Sequence, residues 1–286
     1  MIGGPMIGKS TLARNLADQI KEKGASPVLI GLSGLNTSAE FWGRLMEAIL
    51  HQAIGPGAKN PYRKNPDTLP ELMKQLHHVY EKVPPAIAAR PLTLLFDDCD
   101  RFLSLSEPLV SQIGNLTMES LSPSLEAICW IGGAAWEEWL RDHSEMMKQP
   151  IRLYPLSVVP VREARGIIRE WLGESGTDDA VRRLWSETGG HPVLMKRLFE
   201  GAGEEPVALL SRRLAQEIGP REEAVLRQLD PDGNWTEIHT LKGEKEPRPS
   251  KALLDRLCML GLTIRTLSDG TAAIRWVSPL FGRAIR

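Results

Sequence analysis

Apolar positions along this chain repeat first with a strand–helix alternation and then with helical spacing alone. Leu12, Leu16 and Ile20 recur at i, i+4 and i+8 with Ala13 and Ala17 on the flank, and Gly24 follows Lys21 and Lys23, which predicts a helix that stops there. Ser26 to Ser33 reads as a short buried strand, and Ser38 is expected to cap a helix carrying Phe41, Trp42, Leu45, Met46, Ile49 and Leu50. A Gly-, Pro-, Asn- and Lys-rich loop from Gly55 to Pro70 leads to a helix from about Leu69 to Val83 with Leu72, Leu76 and Val79 on one face, ended by Pro84-Pro85. Leu92 to Phe96 is an unbroken apolar run, the pattern of a strand covered on both faces, with a helix expected from about Leu103 to Ser120. Ala127 to Ile131 is a second such strand, ending in Gly132-Gly133, and Ile151 to Tyr154 a shorter third. Strands alternating with helices of this length predict an α/β fold of three layers around a parallel sheet.

From Val161 the pattern turns helical, with Val161, Ala164, Ile167, Ile168, Trp171 and Leu172 on one face after Pro160. Further helices are expected at about Asp178–Glu187, Pro192–Glu200 and Pro206–Ile218, together a small helical lid. Beyond Pro220 come a helix with Ala224, Val225, Leu226 and Leu229, and another capped by Ser250 with Leu253, Leu254, Leu257 and Leu260. Strand-like pieces Leu262–Leu267 and Thr271–Val277 then flank Asp269-Gly270, the layout of a winged helix. The expected domains are 1–158, an α/β core with its first strand largely missing; 159–218, the helical lid; and 219–286, the winged helix.

A net charge of −1 over 286 residues leaves no global field to draw the chain to nucleic acid or anionic membrane. Cys99, Cys129 and Cys258 stand singly in apolar surroundings and read as buried thiols of a reducing compartment. No apolar run approaches the ~20 residues of a membrane span, so the chain reads as cytoplasmic with no membrane partner.

The chemistry gathers at the start. Gly3, Gly8, Lys9 and Ser10 fall in the G-x-x-x-x-G-K-[ST] spacing of a Walker A loop, whose backbone N–H groups cradle phosphates ahead of a helix N-terminus. Lys9 would reach the β- and γ-phosphates of ATP or ADP, Ser10 would hold Mg²⁺, and Thr11 would add a contact to the α-phosphate. Such a loop needs a strand before it, and only Met1 and Ile2 precede Gly3. The expectation is therefore a strand beginning upstream, without which inner-sheet partners stay open and the chain folds poorly. The second requirement is met by Asp97 and Asp98 after the Leu92–Phe96 run: Asp97 as a partner of Mg²⁺ opposite Ser10, Asp98 where many ATPases carry the carboxylate that orients attacking water. Asp100 reads equally as a further metal-shell carboxylate or as a helix N-cap, and the bland alternative for all three is a solvated acidic turn.

Gly4-Pro5 to Thr11, Phe96-Asp97-Asp98-Cys99-Asp100-Arg101-Phe102, Leu153-Tyr154-Pro155-Leu156-Ser157, Thr188-Gly189-Gly190-His191-Pro192 and Ser278-Pro279-Leu280-Phe281 fall in the order seen in AAA-like ATPases of the STAND class, the signal-transduction ATPases with numerous domains, including the related archaeal-type ATPases. The chain resembles that class over nearly its whole length. The resemblance implies ATP or ADP bound at Gly3, Gly4, Pro5, Gly8, Lys9, Ser10 and Thr11, with Pro192 near the adenine and His191 near the phosphates; read from the residues alone, His191 is a plain helix start after two glycines. It also implies switching between closed and open forms and self-association, or control of a protein effector or sensor.

One departure from the class stands out. The strand that normally ends in a polar sensor of the γ-phosphate ends here in Gly132-Gly133-Ala134-Ala135, and no arginine finger can be assigned among Arg141, Arg152, Arg162 and Arg165. A slow or partner-dependent ATPase is expected, with Lys9 and Asp98 as its catalytic residues. The alternatives are an origin-recognition-like ATPase gripping DNA through its winged helix, and a non-hydrolysing scaffold stabilised by nucleotide. For DNA the footprint is weak, with Asp255 opposing Lys251 and Arg256, and eleven Lys/Arg against nine Asp/Glu over Gly219 to Arg286.

Overall fold

The computed structural model describes residues 1–4, 6–55, 62, 64–82, 84, 90–105, 109, 112, 125–143, 152–156, 158–172, 177–200, 216, 218–243, 248–268 and 271–278. The chain divides into two compact units, one of Met1–Ile2 and Lys9–Tyr154, the other of Gly3–Gly8 and Pro155–Arg286.

The first unit is built on a parallel sheet of β1 (Ser26–Gly31), β2 (Leu92–Asp97) and β3 (Leu125–Ile131) in that order. The register sets Gly31 beside Asp97 and Asp97 beside Ile131, so the three strands end together. Ile2 forms a parallel bridge with Gly132 at the same edge. The two residues ahead of Gly3 thus hold an inner strand's position: Gly132 N–H donates to Met1 O at 3.1 Å, Met1 N to Trp130 O at 2.6 Å, and Ile2 N–H to Tyr154 O at 3.0 Å. These bonds meet the expected open ladder only at Trp130 and Gly132; among the described residues no further strand lies beside β3. Arg152 to Tyr154 forms no strand and supplies only that one carbonyl.

Every residue from Leu92 to Phe96 is buried, and because neighbours in a strand point to opposite faces, both faces of β2 are covered. The same expectation fails for β3, where Glu126 and Ala127 are exposed and burial is complete only at Trp130 and Ile131. Helices α1 (Lys9–Glu22), α2 (Ser38–Ile54), α3 (Leu69–Tyr80) and α4 (Ala134–Asp142) complete the unit. Ser38 is not the cap of α2; Thr37 Oγ1 accepts from Glu40 N–H at 3.2 Å instead. In α1 only Ala13 is fully buried and Leu12 is 39% exposed, so its apolar stripe is narrower than its spacing suggests. The core is aromatic: Phe96 stacks on Trp130 at 4.8 Å, and Phe102 meets Phe41, Phe96, Trp130 and Trp136 edge-on or tilted at 5.1–6.1 Å.

In the second unit, α5 (Val161–Leu172), α6 (Asp178–Thr188) and α7 (Pro192–Phe199) enclose Ala164, Ile168, Val181 and Met195. Val161 and Ile167, expected on the inner face of α5, are exposed. Two further helices, α8 (Pro220–Leu226) and α9 (Lys251–Met259), accompany an antiparallel sheet in the order β4 (Thr236–Glu237), β6 (Thr271–Trp276), β5 (Thr263–Ser268). Ser250 caps α9 as expected, its Oγ accepting from Leu253 N–H at 3.2 Å. The expected helix over Pro206–Ile218, the Asp269-Gly270 turn, most of the helix over Leu103–Ser120 and the terminal Pro279-Leu280-Phe281 lie outside the described residues. Cys99 is buried, its thiol donating to Phe96 O at 3.2 Å, whereas Cys129 and Cys258 are half-buried. Among the described residues no helix is long and apolar enough to cross a membrane.

Phe96 touches three other core rings and is fully buried, so truncating it leaves a cavity among them. Phe96→Ala should lower unfolding stability by about 3–5 kcal/mol, measured as the shift of the urea midpoint at constant slope.

Candidate nucleotide site

The glycine-rich start owes its shape to backbone geometry. Met6 at φ 57° and Gly8 at φ +93° are both left-handed, a region glycine enters freely and methionine does not, and Lys9 follows at once as the first residue of α1. Within the second unit, Gly3 and Gly4 are small for a packing reason. A Cβ on Gly4 would lie 2.2 Å from Leu260 O, and one on Gly3 would lie 2.9 Å from Ile7 Cγ2 and 3.1 Å from Leu156 O. Ser10 and Thr11 are exposed at the start of α1, and Lys9 is half-buried. Pro5 lies outside the described residues.

In the first unit, β2 delivers the acidic pair. Asp97 O accepts from Leu32 N–H at 2.9 Å, which holds the strand to its last residue, and Asp97 Oδ1 accepts from Asp98 N–H at 3.0 Å. Asp98 is left-handed at φ 67°, ψ 45°, and turns the chain into a 3₁₀ helix, Cys99–Ser104. Burial raises its carboxyl pKa above the ordinary range, and the charges of Asp100 and Asp97 raise it further; Lys9 and Arg101 pull the other way. Arg101 is tied across the sheet edge, its Nε donating to Leu35 O at 3.1 Å.

Asp100 resolves between its two readings as a cap, though not of its own helix. Its Oδ2 accepts from Gly133 N–H at 2.5 Å and its Oδ1 from Trp136 N–H at 3.0 Å, so it caps α4 from outside, where Gly133 at the N-cap position has no side chain to do so. Gly132 and Gly133 are both confined. A Cβ on Gly132 would lie 2.7 Å from Trp136, and one on Gly133 would lie 3.0 Å from the Asp100 carboxylate. The sequence holds an indirect signal of this: a helix start at Ala134 with no capping side chain before it.

His191 and Pro192 belong to the second unit. His191 is 1% exposed, its carbonyl accepts from Met195 N–H at 2.9 Å in the first turn of α7, and its Cδ2 faces Gly261. Pro192 is half-buried at the first position of that helix. The two preceding glycines pack tightly, since a Cβ on Gly189 would lie 1.7 Å from Val277 O and one on Gly190 2.2 Å from Val159 O.

Asp98 is thus held in a charge state and a backbone conformation that both work against folding. Asn tolerates the left-handed region and carries no charge, so Asp98→Asn should melt a few degrees above the parent at pH 7. A carboxyl with a raised folded pKa costs stability once it ionises. The advantage of the variant should therefore be present above the folded pKa and shrink as pH falls toward the ordinary carboxylate range, measured by thermal melts from pH 7 to pH 4.

No protein-family model matches the chain, and no curated protein does. Solved structures do match. The Walker-type ATPase PABY2304 of Pyrococcus abyssi is similar at a TM-score of 0.60 and 16% identity, over 100% of this chain and 89% of that one. The ORC2 protein of Aeropyrum pernix, solved in ADPNP–ADP complexes, is similar at a TM-score of 0.50 and 15% identity, over 99% of this chain and 84% of that one. With a glycine-rich loop opening a helix and a parallel sheet whose middle strand ends at Asp97, this chain has an α/β fold similar to that of the Walker-type ATPase PABY2304.

Proposed function

We propose that this chain is a nucleotide-driven switch: a P-loop ATPase that binds ATP, hydrolyses it slowly, and signals to an effector or sensor protein through a helical lid (159–218) and a winged helix (219–286). The observation that carries this reading is the shared edge of the first unit's sheet. Ile2, the last residue before the glycine-rich loop, pairs with Gly132 there, and β2 ends there on Asp97 and Asp98. Open α/β sheets bind their ligands at the carboxyl ends of the strands. PABY2304 is a Walker-type ATPase and the ORC2 structure holds ADPNP and ADP, which supports a nucleotide as the ligand.

In this reading the N–H groups of Gly3, Gly4 and Gly8 and the first turn of α1 hold the phosphates, with Pro5 shaping the loop. Lys9 adds its charge at the β- and γ-phosphates and Thr11 a contact at the α-phosphate. His191 and Pro192 complete the nucleotide set. The Ser10 hydroxyl and Asp97 carboxylate are hard oxygen donors suited to Mg²⁺, which would draw charge from the phosphates. Asp98, ionised, orients the attacking water.

Slow turnover fits the end of β3, where Ile131 is followed by Gly132 and Gly133 and no polar side chain is offered. Gly132 and Gly133 have no room for one, so a direct polar contact to the γ-phosphate is missing from that strand. ATP then favours one arrangement of the protein only through its differential affinity for the two.

ATP binding with Mg²⁺ should be measurable by calorimetry in the parent, with turnover below roughly 1 s⁻¹. Lys9→Ala should weaken ATP binding by roughly tenfold or more, a loss of about 1.4 kcal/mol. Asp98→Asn should keep binding and lose turnover. Equal affinity in parent and Lys9→Ala would overturn the phosphate-loop assignment, and binding without turnover in the parent would favour a scaffold stabilised by nucleotide.

A further inference from the structure

The acidic turn after β2 contains a carboxylate that the proposed mechanism does not use. Asp100 faces neither of its neighbours Asp97 and Asp98 in hydrogen bonding; both of its oxygens are spent on the backbone at the start of α4, 2.5 Å from Gly133 N and 3.0 Å from Trp136 N. Gly133 follows Gly132, whose N–H donates to Met1 O, and Met1 leads through Ile2 to the glycine-rich loop. Two bonds at one dipeptide therefore tie together the ends of three chain segments. Gly132 holds the segment before the loop, and Gly133 holds the acidic turn through Asp100.

We propose that Asp100 is a positioning residue for the nucleotide site: its carboxylate locks the Gly132-Gly133 turn against the acidic turn and so fixes the direction in which Asp98 points. The inference rests on the ATPase reading above and adds a role to a residue that reading leaves idle. The geometry carries it in three steps. Asp98 stands in the left-handed region at φ 67°, which aspartate enters less readily than glycine. Its carbonyl accepts from Arg101 N–H at 3.0 Å, so Asp98 and Asp100 belong to one rigid turn of 3₁₀ helix. That turn is anchored to the next strand's end by charge-assisted bonds from Asp100, stronger than neutral ones and directional at both oxygens. Just past the end of β3, the backbone of Gly133 is bound to the acidic turn directly.

The test uses the full chain and two variants. Asp100→Ala removes both acceptors. Asp100→Asn is isosteric and leaves one acceptor oxygen, its amide nitrogen facing the other N–H as a second donor, and it serves where the alanine variant fails to fold. Both should bind ATP within about threefold of the parent and lose turnover by about tenfold or more, so that kcat falls while KM stays. Amide hydrogen exchange supplies a readout independent of activity: Gly133 and Trp136 should exchange faster in both variants, with the amides of β2 unchanged. Faster exchange with parental turnover would overturn the proposal, since the cap would then serve α4 alone. Loss of binding in step with turnover would overturn it too, as would unchanged exchange. A parent that binds no ATP would sink the ATPase reading and this inference together. A parent that binds and turns over ATP, with variants like it, would sink only the inference.

Discussion

The first unit depends on backbone hydrogen bonding at the carboxyl edge of its sheet. Buried backbone N–H and C=O groups need partners, and Met1 N and O and Ile2 N–H find theirs at Trp130, Gly132 and Tyr154. Ile2 is 2% exposed, so its side chain also joins the core. From that point the chain runs into the glycine-rich loop. The same register brings Asp97 level with Gly31 and Ile131, and so sets where β2 hands over to the acidic turn. Beneath the edge, Phe96, Trp130 and Phe102 pack as one aromatic block, so the strand ends and the turn above them rest on a common rigid support.

Glycine does two distinct jobs in this chain. At Gly8 it supplies a left-handed turn with open space around it, which frees the backbone for a ligand. At Gly4, Gly132, Gly189 and Gly190 it lets other atoms of the protein come closer than any side chain would permit. Thr188-Gly189-Gly190-His191-Pro192 combines both: Gly189 ends α6 in a left-handed cap, and Val277 O and Val159 O press on the two glycines. Ser278 Oγ donates to Glu187 O beside them, so the helices after Pro160 and the strands near the end of the chain meet through main-chain groups. The glycine pair ahead of His191 is therefore a seam within the second unit.

Acidic residues in the turn after β2 divide their work by environment. Asp97 bonds to the amide of Asp98, Asp98 is partly desolvated and flanked by like charge, and Asp100 is consumed by two amides. Three carboxylates within four residues thus differ in their surroundings, and burial together with the neighbouring acidic charge raises the Asp98 carboxyl pKa.

Local signals were legible in the sequence because their physics is local. The helix that begins at Lys9, the Leu92–Phe96 strand, the Ser250 cap and the helices beginning near Val161, Asp178 and Pro192 each follow from a few neighbouring residues, and each is formed as read. The cap of α2 shifted by one residue because Thr37 and Ser38 carry the same hydroxyl, and only backbone dihedrals choose between them. Burial was legible only in part: Leu12, Val161 and Ile167 have the right spacing yet are exposed, and in β3 Ala127 is exposed while Ile128 and Cys129 are only half-buried. The role of Asp100 was not legible at all beyond an uncapped helix start, because its partners lie 33 and 36 residues away. The sequence by itself determined which elements form and which residues carry charge at their ends. Only the tertiary structure decided which strand end stands beside which, since parallel pairing joins segments whose separation along the chain bears no relation to their distance in space.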